Sequence, residues 1–517
     1  MGMCHVDIYQ FIRRVMRVGL KTDSLSLDAV SQELLGAKKA DMDVSKLAAH
    51  WDAGTKLDEY AHYNLHDTRL TYDLAFKILP NITEFVRLIG VPLYDSARLS
   101  FSQQVEWYLI KRAFIAGEIS PNRPGFKEQK GRERQRLVGG YVFTPTPGLY
   151  EDIIVFDFAS LYPTIIASHN LGPSSCSMDG PGDTVDTPIG DVHVNTAQRA
   201  FLSREIELLI TTRSKIKKEL KKEYDALLYS RSMALKILAN SMYGYLVFGM
   251  ARWYSFEAGS VTTTLARNYV QNVMKDAKEA GFGVVYGDTD SAMLLLGDKT
   301  EKDAEAFKDS VNETLPGLME LEYEGHYLRG IFVAVKGSEG GAKKRYALIN
   351  EKKELTIKGF EVVRRNFSIL GKEIQKHVLE LVLERGAVKE AVTYVSGMIK
   401  DLKEHKIPVE KMIIRTQLQK KTSEYDNVGP HVAAARLMEK KNIEVGPGSF
   451  IRYVVCSGAG LIRDKVKLPE DVKQTDYDSD YYLKHQVLPA VEKILSAVGY
   501  DQESLVMGTK QKKLGDW

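Results

Sequence analysis

At 517 residues the chain is too long for one hydrophobic core and should divide into several domains. Its apolar fraction of 44% and charged fraction of 27% are those of an ordinary globular protein. No apolar run of membrane-spanning length appears, and the three scattered cysteines (Cys4, Cys176, Cys456) lack metal-ligand spacing, so the expectation is a reducing cytoplasm without disulfides. The net charge is only +3, so composition alone does not mark a nucleic-acid binder. Basic residues are nonetheless dense in K-E-Q-K-G-R-E-R-Q-R from Lys127, R-S-K-I-K-K-E-L-K-K from Arg213 and K-G-S-E-G-G-A-K-K-R from Lys336. Such runs are usually solvated faces, and position decides which touch phosphate.

Residues 1 to 118 read as mixed α/β, with helical patterns around Asp28–Leu35, Leu65–Leu79 and Ser102–Ala116. Pro121–Arg136 is polar and basic, as a linker would be. The short apolar run from Ile153 to Phe156 ends at Asp157 as a buried strand would, and Pro163 suits the first turn of the next helix. Cys176–Asn195 is rich in Gly, Pro and Asp and reads as loop or irregular hairpin. Two helical stretches, Phe201–Glu223 and Ala226–Tyr243, then form an antiparallel helical hairpin. Val284–Tyr286 and Ala292–Leu296 flank Gly287–Ser291, predicting a β-hairpin with acidic residues at its tip. Beyond Arg364 the pattern is mainly helical to Ala435, followed by a β-like Phe450–Cys456, a final helix Tyr481–Val498 and a polar end, Gly508–Trp517.

Three stretches carry chemistry: D-F-A-S-L-Y-P (Asp157–Pro163), K-I-L-A-N-S-M-Y-G (Lys236–Gly244) and Y-G-D-T-D-S (Tyr286–Ser291). Phosphoryl transfer to a sugar hydroxyl needs two hard cations held close together, and magnesium takes carboxylate and water oxygens. Asp157 at a strand end and Asp290 at a hairpin tip can sit side by side if their strands are neighbours, with Asp288 two residues away. By itself D-T-D reads equally well as an acidic turn. Arg213 and Lys217 are four apart on one helix, and Lys236 and Asn240 repeat that spacing on the next. If those faces meet, three cations and an amide converge as a triphosphate requires; taken singly, the cations suit surface ion pairs.

Together, and in this order, the three stretches resemble motifs A, B and C of family B DNA polymerases of the archaeal type. H-V-A-A-A-R (His431–Arg436), G-P-G (Gly446–Gly448) and Q-V-L-P-A-V (Gln486–Val491) extend the likeness to nearly the whole chain. The resemblance implies an α/β fold, mixed α+β, shaped as a right-hand polymerase with palm, fingers and thumb. A partial RNase H-like 3′–5′ exonuclease domain would precede it over 1–118. The palm would take 119–203 and 246–365, the fingers hairpin 204–245, the thumb 366–507 and a clamp-binding tail 508–517.

The implied activity is DNA-directed DNA synthesis, a nucleotidyl transfer from deoxynucleoside triphosphates to a primer 3′-hydroxyl that releases pyrophosphate. The resemblance gives two Mg2+ ions to Asp157 and Asp290, with Asp288 less directly involved. It gives the triphosphate to Arg213, Lys217, Lys236 and Asn240, makes Tyr162 a gate against a 2′-hydroxyl, and makes Tyr243 and Gly244 the floor under the nascent base pair. K-K-R-Y (Lys343, Lys344, Arg345, Tyr346) matches the motif that tracks the primer–template minor groove, and Arg364 lies in a stretch like the passage from palm to thumb. Gln511, Leu514 and Trp517, in Q-K-K-L-G-D-W, resemble the terminal peptide by which replication proteins dock a sliding clamp.

The departures from the family pattern lie toward the N-terminus. Of three acidic exonuclease motifs only Y-N-L-H-D, Tyr63 to Asp67, is visible, and His5-Val6-Asp7 resembles the segment just after the second. Asp67 alone cannot hold a metal pair, so autonomous proofreading is not expected. The family's Y-x-G-G stands here as L-V-G-G, with Leu137 in place of tyrosine. Either a separate N-terminal polymerase subunit supplies the rest, leaving apolar surface on the remnant for it to cover, or the enzyme is a shortened, non-proofreading one or the product of a truncated gene. The competing reading is a non-catalytic scaffold that binds DNA and clamp. The expected location is cytoplasmic, at the nucleoid, with no membrane partner.

Overall fold

The computed structural model describes residues 3–20, 22, 24–40, 42, 47–335, 340–364 and 366–500. The chain forms two units, neither contiguous in sequence: one takes Met1–Gly140, Phe158–Tyr269 and Asn312–Glu320, the other Tyr141–Asp157, Val270–Val311 and Leu321–Trp517.

In the first unit the N-terminal region differs from the mixed α/β expectation: its regular elements among the described residues up to Ala116 are helices. Ser26 accepts from the Ala29 N–H to start the helix Leu27–Leu35, and Gly36, at φ 71°, ends it. The helix Leu57–Ile89 runs straight through Pro80, beyond the predicted end at Leu79. A helix-interior proline costs about 3 kcal/mol. Here Leu70, Leu74, Ile78, Ile82, Phe85 and Ile89 continue one buried stripe across it, and that burial overrides the local breaker. Inside the predicted linker a helix, Phe126–Glu133, forms instead, and Arg132 on it pairs with Glu128 at 2.6 Å and stacks on Tyr254.

The expected helical hairpin is present as Phe201–Lys222 and Ala226–Leu246, with Asp225 accepting from the Leu228 N–H to start the second helix. Three buried carboxylates join it to neighbouring elements of this unit. Glu84 receives Arg231 at 2.8 Å, Glu205 receives Arg112 at 2.6 Å, and Glu106 receives Arg123 at 2.7 Å and the Tyr245 hydroxyl at 3.1 Å.

The second unit is organised by a seven-stranded sheet. Its first strands are β1 (Val142–Phe143) and β2 (Gly148–Phe158). Three strands of the first unit, β3 (Cys176–Ser177), β4 (Asp183–Thr187) and β5 (Gly190–Val194), follow in sequence and form a separate small sheet, β3-β5-β4, in which β4 and β5 make a hairpin within the stretch read as loop or hairpin and β3 adds a third strand. The large sheet resumes with the hairpin β6 (Gly283–Asp288) and β7 (Ser291–Leu295). It ends with β8 (Leu321–Ala334), β9 (Gly341–Asn350) and β10 (Leu355–Lys358), in the order β1-β6-β7-β2-β8-β9-β10. Ile153 to Phe156 are each at most 2% exposed, because β2 lies inside the sheet with both faces covered. On β8 the alternation is visible: Ile331 and Val333 join the helical core around Leu370, Ile374 and Val378, while Phe332 packs with Tyr286 and Tyr346. Helices Ile369–Arg385 and Val388–Lys403 and a small sheet of β11 (Ile414–Gln417), β12 (Phe450–Val455) and β13 (Val466–Lys467) complete the unit. Among the described residues no helix is long and apolar enough to cross a membrane.

Candidate active site

An acidic cluster in the second unit is set by sheet register. β7 pairs with β2 on one side and β6 on the other, and Ser291 stands opposite Asp157 on one and Asp288 on the other. With about 4.8 Å between strands, the two aspartate Cα atoms lie roughly 10 Å apart at one level of the sheet. Asp290 occupies the hairpin tip between them in sequence. Its N–H donates to the Asp288 carbonyl at 2.5 Å, closing a three-residue turn over Thr289, whose φ is 59°. A β-branched residue at positive φ is strained. The Thr289 N–H donates to the Tyr141 carbonyl at 2.8 Å, and its hydroxyl donates to Asp288 at 3.0 Å, which holds the turn in place.

The electrostatics of this tip favour a cation. Burial and the neighbouring Asp288 charge push the Asp290 carboxyl above the ordinary carboxylate range; Lys344 works the other way and Glu324 adds to the rise. Lys344 Nζ lies 3.2 Å from Asp288. Glu324, on β8, was not singled out from the sequence: its neighbourhood with Asp290 follows from strand order, not from any motif. Asp157, Asp288 and Asp290 are all partly exposed, so an ion can reach them. An oxygen-rich cluster carrying more negative than positive charge is the donor set magnesium takes.

A cationic cluster lies on the helical hairpin of the first unit. Leu235, Leu238, Ala239, Met242 and Tyr245 of the second helix are buried, which leaves Lys236, Asn240 and Gly244 on the exposed stripe. Arg213 and Lys217 share a face of the first helix, Lys217 exposed and Arg213 half-buried. Around the position a Gly244 Cβ would take, nothing lies within 4 Å. Tyr243 packs its ring 4.5 Å from that of Tyr162, and burial raises the Tyr243 hydroxyl pKa to about 12.

The basic strand divides into two behaviours. Lys343 and Lys344 are exposed, and Lys344, at φ 60°, turns so that its N–H donates to the Tyr286 hydroxyl at 2.9 Å. This turn requires Gly359, where a Cβ would sit 2.1 Å from the Lys344 carbonyl oxygen. Arg345 and Tyr346 instead face inward, at 8% and 9% exposure. Arg345 pairs with Glu361 at 2.5 Å and lies over Phe360, and Tyr346 stacks on Phe332. Of the four residues of this motif expected to meet DNA, Arg345 and Tyr346 are therefore engaged inside the protein, by buried Glu361 and by Phe332, and the two lysines are the exposed ones. Arg364 is exposed and borders a cleft of about 770 Å³ that Lys484 and Lys493 also line.

Near the N-terminus, Asp67 pairs with Lys39 at 2.8 Å, and the same ammonium lies 4.8 Å over the Tyr63 ring. Gln511, Leu514 and Trp517 lie outside the described residues.

Comparison with known proteins adds a second line of observation. The sequence model of DNA polymerase family B matches residues 98–498. A DNA polymerase of Thermococcus gorgonarius is 37% identical over 528 residues, covering 100% of this chain and 67% of the relative. One from Archaeoglobus fulgidus is 31% identical over 537 residues, covering 99% and 65%. Among solved structures, the family B DNA polymerase of Pyrobaculum calidifontis superposes with a TM-score of 0.70 at 32% identity, covering 96% of this chain and 64% of that one. The chain thus spans about two thirds of the length of the relatives it matches.

Proposed function

Because the chain belongs to DNA polymerase family B, we propose that it performs template-directed DNA synthesis, joining a deoxynucleoside triphosphate to a primer 3′-hydroxyl with release of pyrophosphate. The observation that carries this reading is the register that sets Asp157 and Asp288 opposite the same Ser291, with Asp290 at the tip beside them. Asp157 and Asp290, with Asp288 beside them, are the residues to hold two Mg2+ ions; bound there, the ions lower the charge barrier to attack and to pyrophosphate departure. Glu324 adds negative charge to the same cluster, and Lys344 restrains Asp288 through the contact at 3.2 Å.

Arg213, Lys217, Lys236 and Asn240 bind the triphosphate, the guanidinium by forked hydrogen bonds and the ammonium groups as point charges. Tyr162, braced by Tyr243, rejects a ribose 2′-hydroxyl by volume, and the open face at Gly244 admits the base pair. Lys343, Lys344 and Arg364 contact phosphates without reading sequence, which makes binding salt-dependent and sequence-independent. Gln511, Leu514 and Trp517 dock the sliding clamp.

Primer extension with magnesium and four deoxynucleotides tests the assignment, with Asp157→Ala as control. Extension by the wild type and none by the variant is the expected result; equal extension by both rejects it and leaves the scaffold reading. No primer shortening is expected in the same reaction, since Asp67 is neutralised by Lys39.

A separate polymerase subunit as partner is favoured by one feature of the first unit. Leu65, Tyr72 and Phe76 expose a stripe of the helix Leu57–Ile89, at 66%, 67% and 74%, and a cleft of about 790 Å³ beside it is lined by Leu47, Trp51, Leu57 and Tyr60. Trp51→Ser with Phe76→Ser should abolish capture of a chain bearing the first two exonuclease motifs; undiminished capture rejects this surface.

A further inference from the structure

His326 lies on β8 with its side chain 13% exposed, yet both ring nitrogens are fully buried and make no hydrogen bond. Buried polar atoms are nearly always satisfied, and a neutral imidazole must place one N–H and one lone pair. Three carboxylates surround this ring. Glu301, from the start of the helix Glu301–Thr314, and Glu351, from the turn between β9 and β10, approach Nδ1 at 4.0 and 3.6 Å. Asp152, on β2, approaches Nε2 at 3.4 Å. These distances are close for charge but beyond good hydrogen bonds. One ligand atom each from Glu301, His326 and Glu351 lies within 4.8 Å of the others.

We propose that Glu301, His326 and Glu351 form a binding site for a divalent transition-metal ion of the Zn2+ or Mn2+ class. Nδ1 of His326 is the nitrogen ligand and the two glutamates supply oxygen. The other nitrogen then carries its proton toward Asp152, the carboxylate–histidine–metal relay that fixes tautomer and ring orientation. This distribution uses both orphaned nitrogens and explains why two carboxylates stand on one side of the ring and one on the other. The Tyr323 hydroxyl donates to the second oxygen of Glu301 at 2.6 Å, steadying that ligand. Around zinc, ligand atoms about 2.0–2.1 Å from the ion stand roughly 3.3 Å from one another, so the exposed glutamates need to close on Nδ1 by only about 0.3 to 0.7 Å on loading.

Imidazole with carboxylates is the donor set of zinc, manganese or cobalt, whereas the all-carboxylate tip at Asp290 suits magnesium. Asp152 precedes Asp157 by five residues on β2, roughly 17 Å along the strand, so the two sites are separate. The ion would tie β2, β8, the β9–β10 turn and a helix together, and its binding energy would add to the stability of this unit. The inference does not depend on the polymerase reading.

The test uses the full chain with Asp157→Ala and Asp290→Ala, which removes the acidic tip as a competing ligand. After chelation and dialysis it is titrated with Zn2+ by calorimetry, and with Co2+ by visible absorption. The expected result is one Zn2+ per chain and cobalt ligand-field bands. Adding His326→Ala should weaken zinc at least about a hundredfold and abolish the bands, while Asp152→Asn should weaken it about ten- to a hundredfold. Unchanged stoichiometry and affinity in the His326→Ala chain overturns the proposal, as does absence of zinc binding in its parent. If His326→Ala does not fold, Glu351→Gln on the exposed turn serves instead, and undiminished zinc binding there has the same force.

Discussion

Glu84, Glu106 and Glu205 in the first unit are at most 7% exposed, and each is met by arginine at 2.6 to 2.8 Å. Asp288 and Asp290 in the second unit are half-buried and meet one another, with Lys344 3.2 Å from Asp288. The first set is neutralised on site by the protein and serves to join helices. The second is left with net negative charge, on a turn strained at Thr289, and calls for a cation from outside. A carboxylate's role is therefore read from what neutralises it, not from its burial.

The largest test of that contrast is Asp157→Ala or Asp290→Ala. Extension should fall at least about a thousandfold, about 4 kcal/mol of barrier, while primer–template affinity stays within about threefold. Near wild-type extension by either variant would break the comparison. Next, Arg112→Ala leaves the buried Glu205 carboxylate only Arg204 at 3.6 Å and the Tyr108 hydroxyl at 3.4 Å, and should cost about 3 kcal/mol in urea unfolding, because a poorly paired buried charge is expensive. Lys236→Ala should raise the nucleotide KM about tenfold, about 1.4 kcal/mol, and leave folding intact; an unmoved KM removes that residue from triphosphate binding.

Smaller effects sharpen the sign. The Asp290 carboxyl is held above its ordinary range, so the native state disfavours its charge. Its contribution to stability falls as pH rises from the ordinary carboxylate range through the higher native value. In chelator, Asp290→Asn should thus gain about 1 kcal/mol of stability while losing activity, opposite in sign to Arg112→Ala. Loss of stability by both would erase the distinction. The smallest effect concerns His169, half-buried with its ring nitrogen 2.8 Å from the Tyr269 hydroxyl and its pKa lowered by partial burial. The unfolded chain binds that proton more readily, so stability should decline as pH drops below the ordinary histidine range; His169→Gln should flatten that part of the unfolding profile.

Much of this arrangement is legible locally. An apolar run closing on Asp157 is a buried strand with a carboxylate at its end, and D-T-D between two apolar runs is a hairpin tip. Four-residue spacing places Arg213 with Lys217, and Lys236 with Asn240, on helix faces. Where local reading stopped short, packing had overruled it. Pro80 sits inside a helix because its flanking apolar stripe is buried, and the basic stretch at Phe126–Glu133 is helical although it reads as linker.

Period, turn chemistry and capping are properties of neighbours in the chain, so composition and spacing alone determined the hairpins, the helix faces and the carboxylate-bearing tips. Which side chains meet across the sheet was decided by the order β1-β6-β7-β2-β8-β9-β10. That order surrounds His326 with three carboxylates from distant segments, and strand packing likewise brings the Glu324 charge to bear on Asp290. Such meetings rest on pairings between segments far apart in sequence, which the burial of whole apolar faces selects and no local pattern encodes.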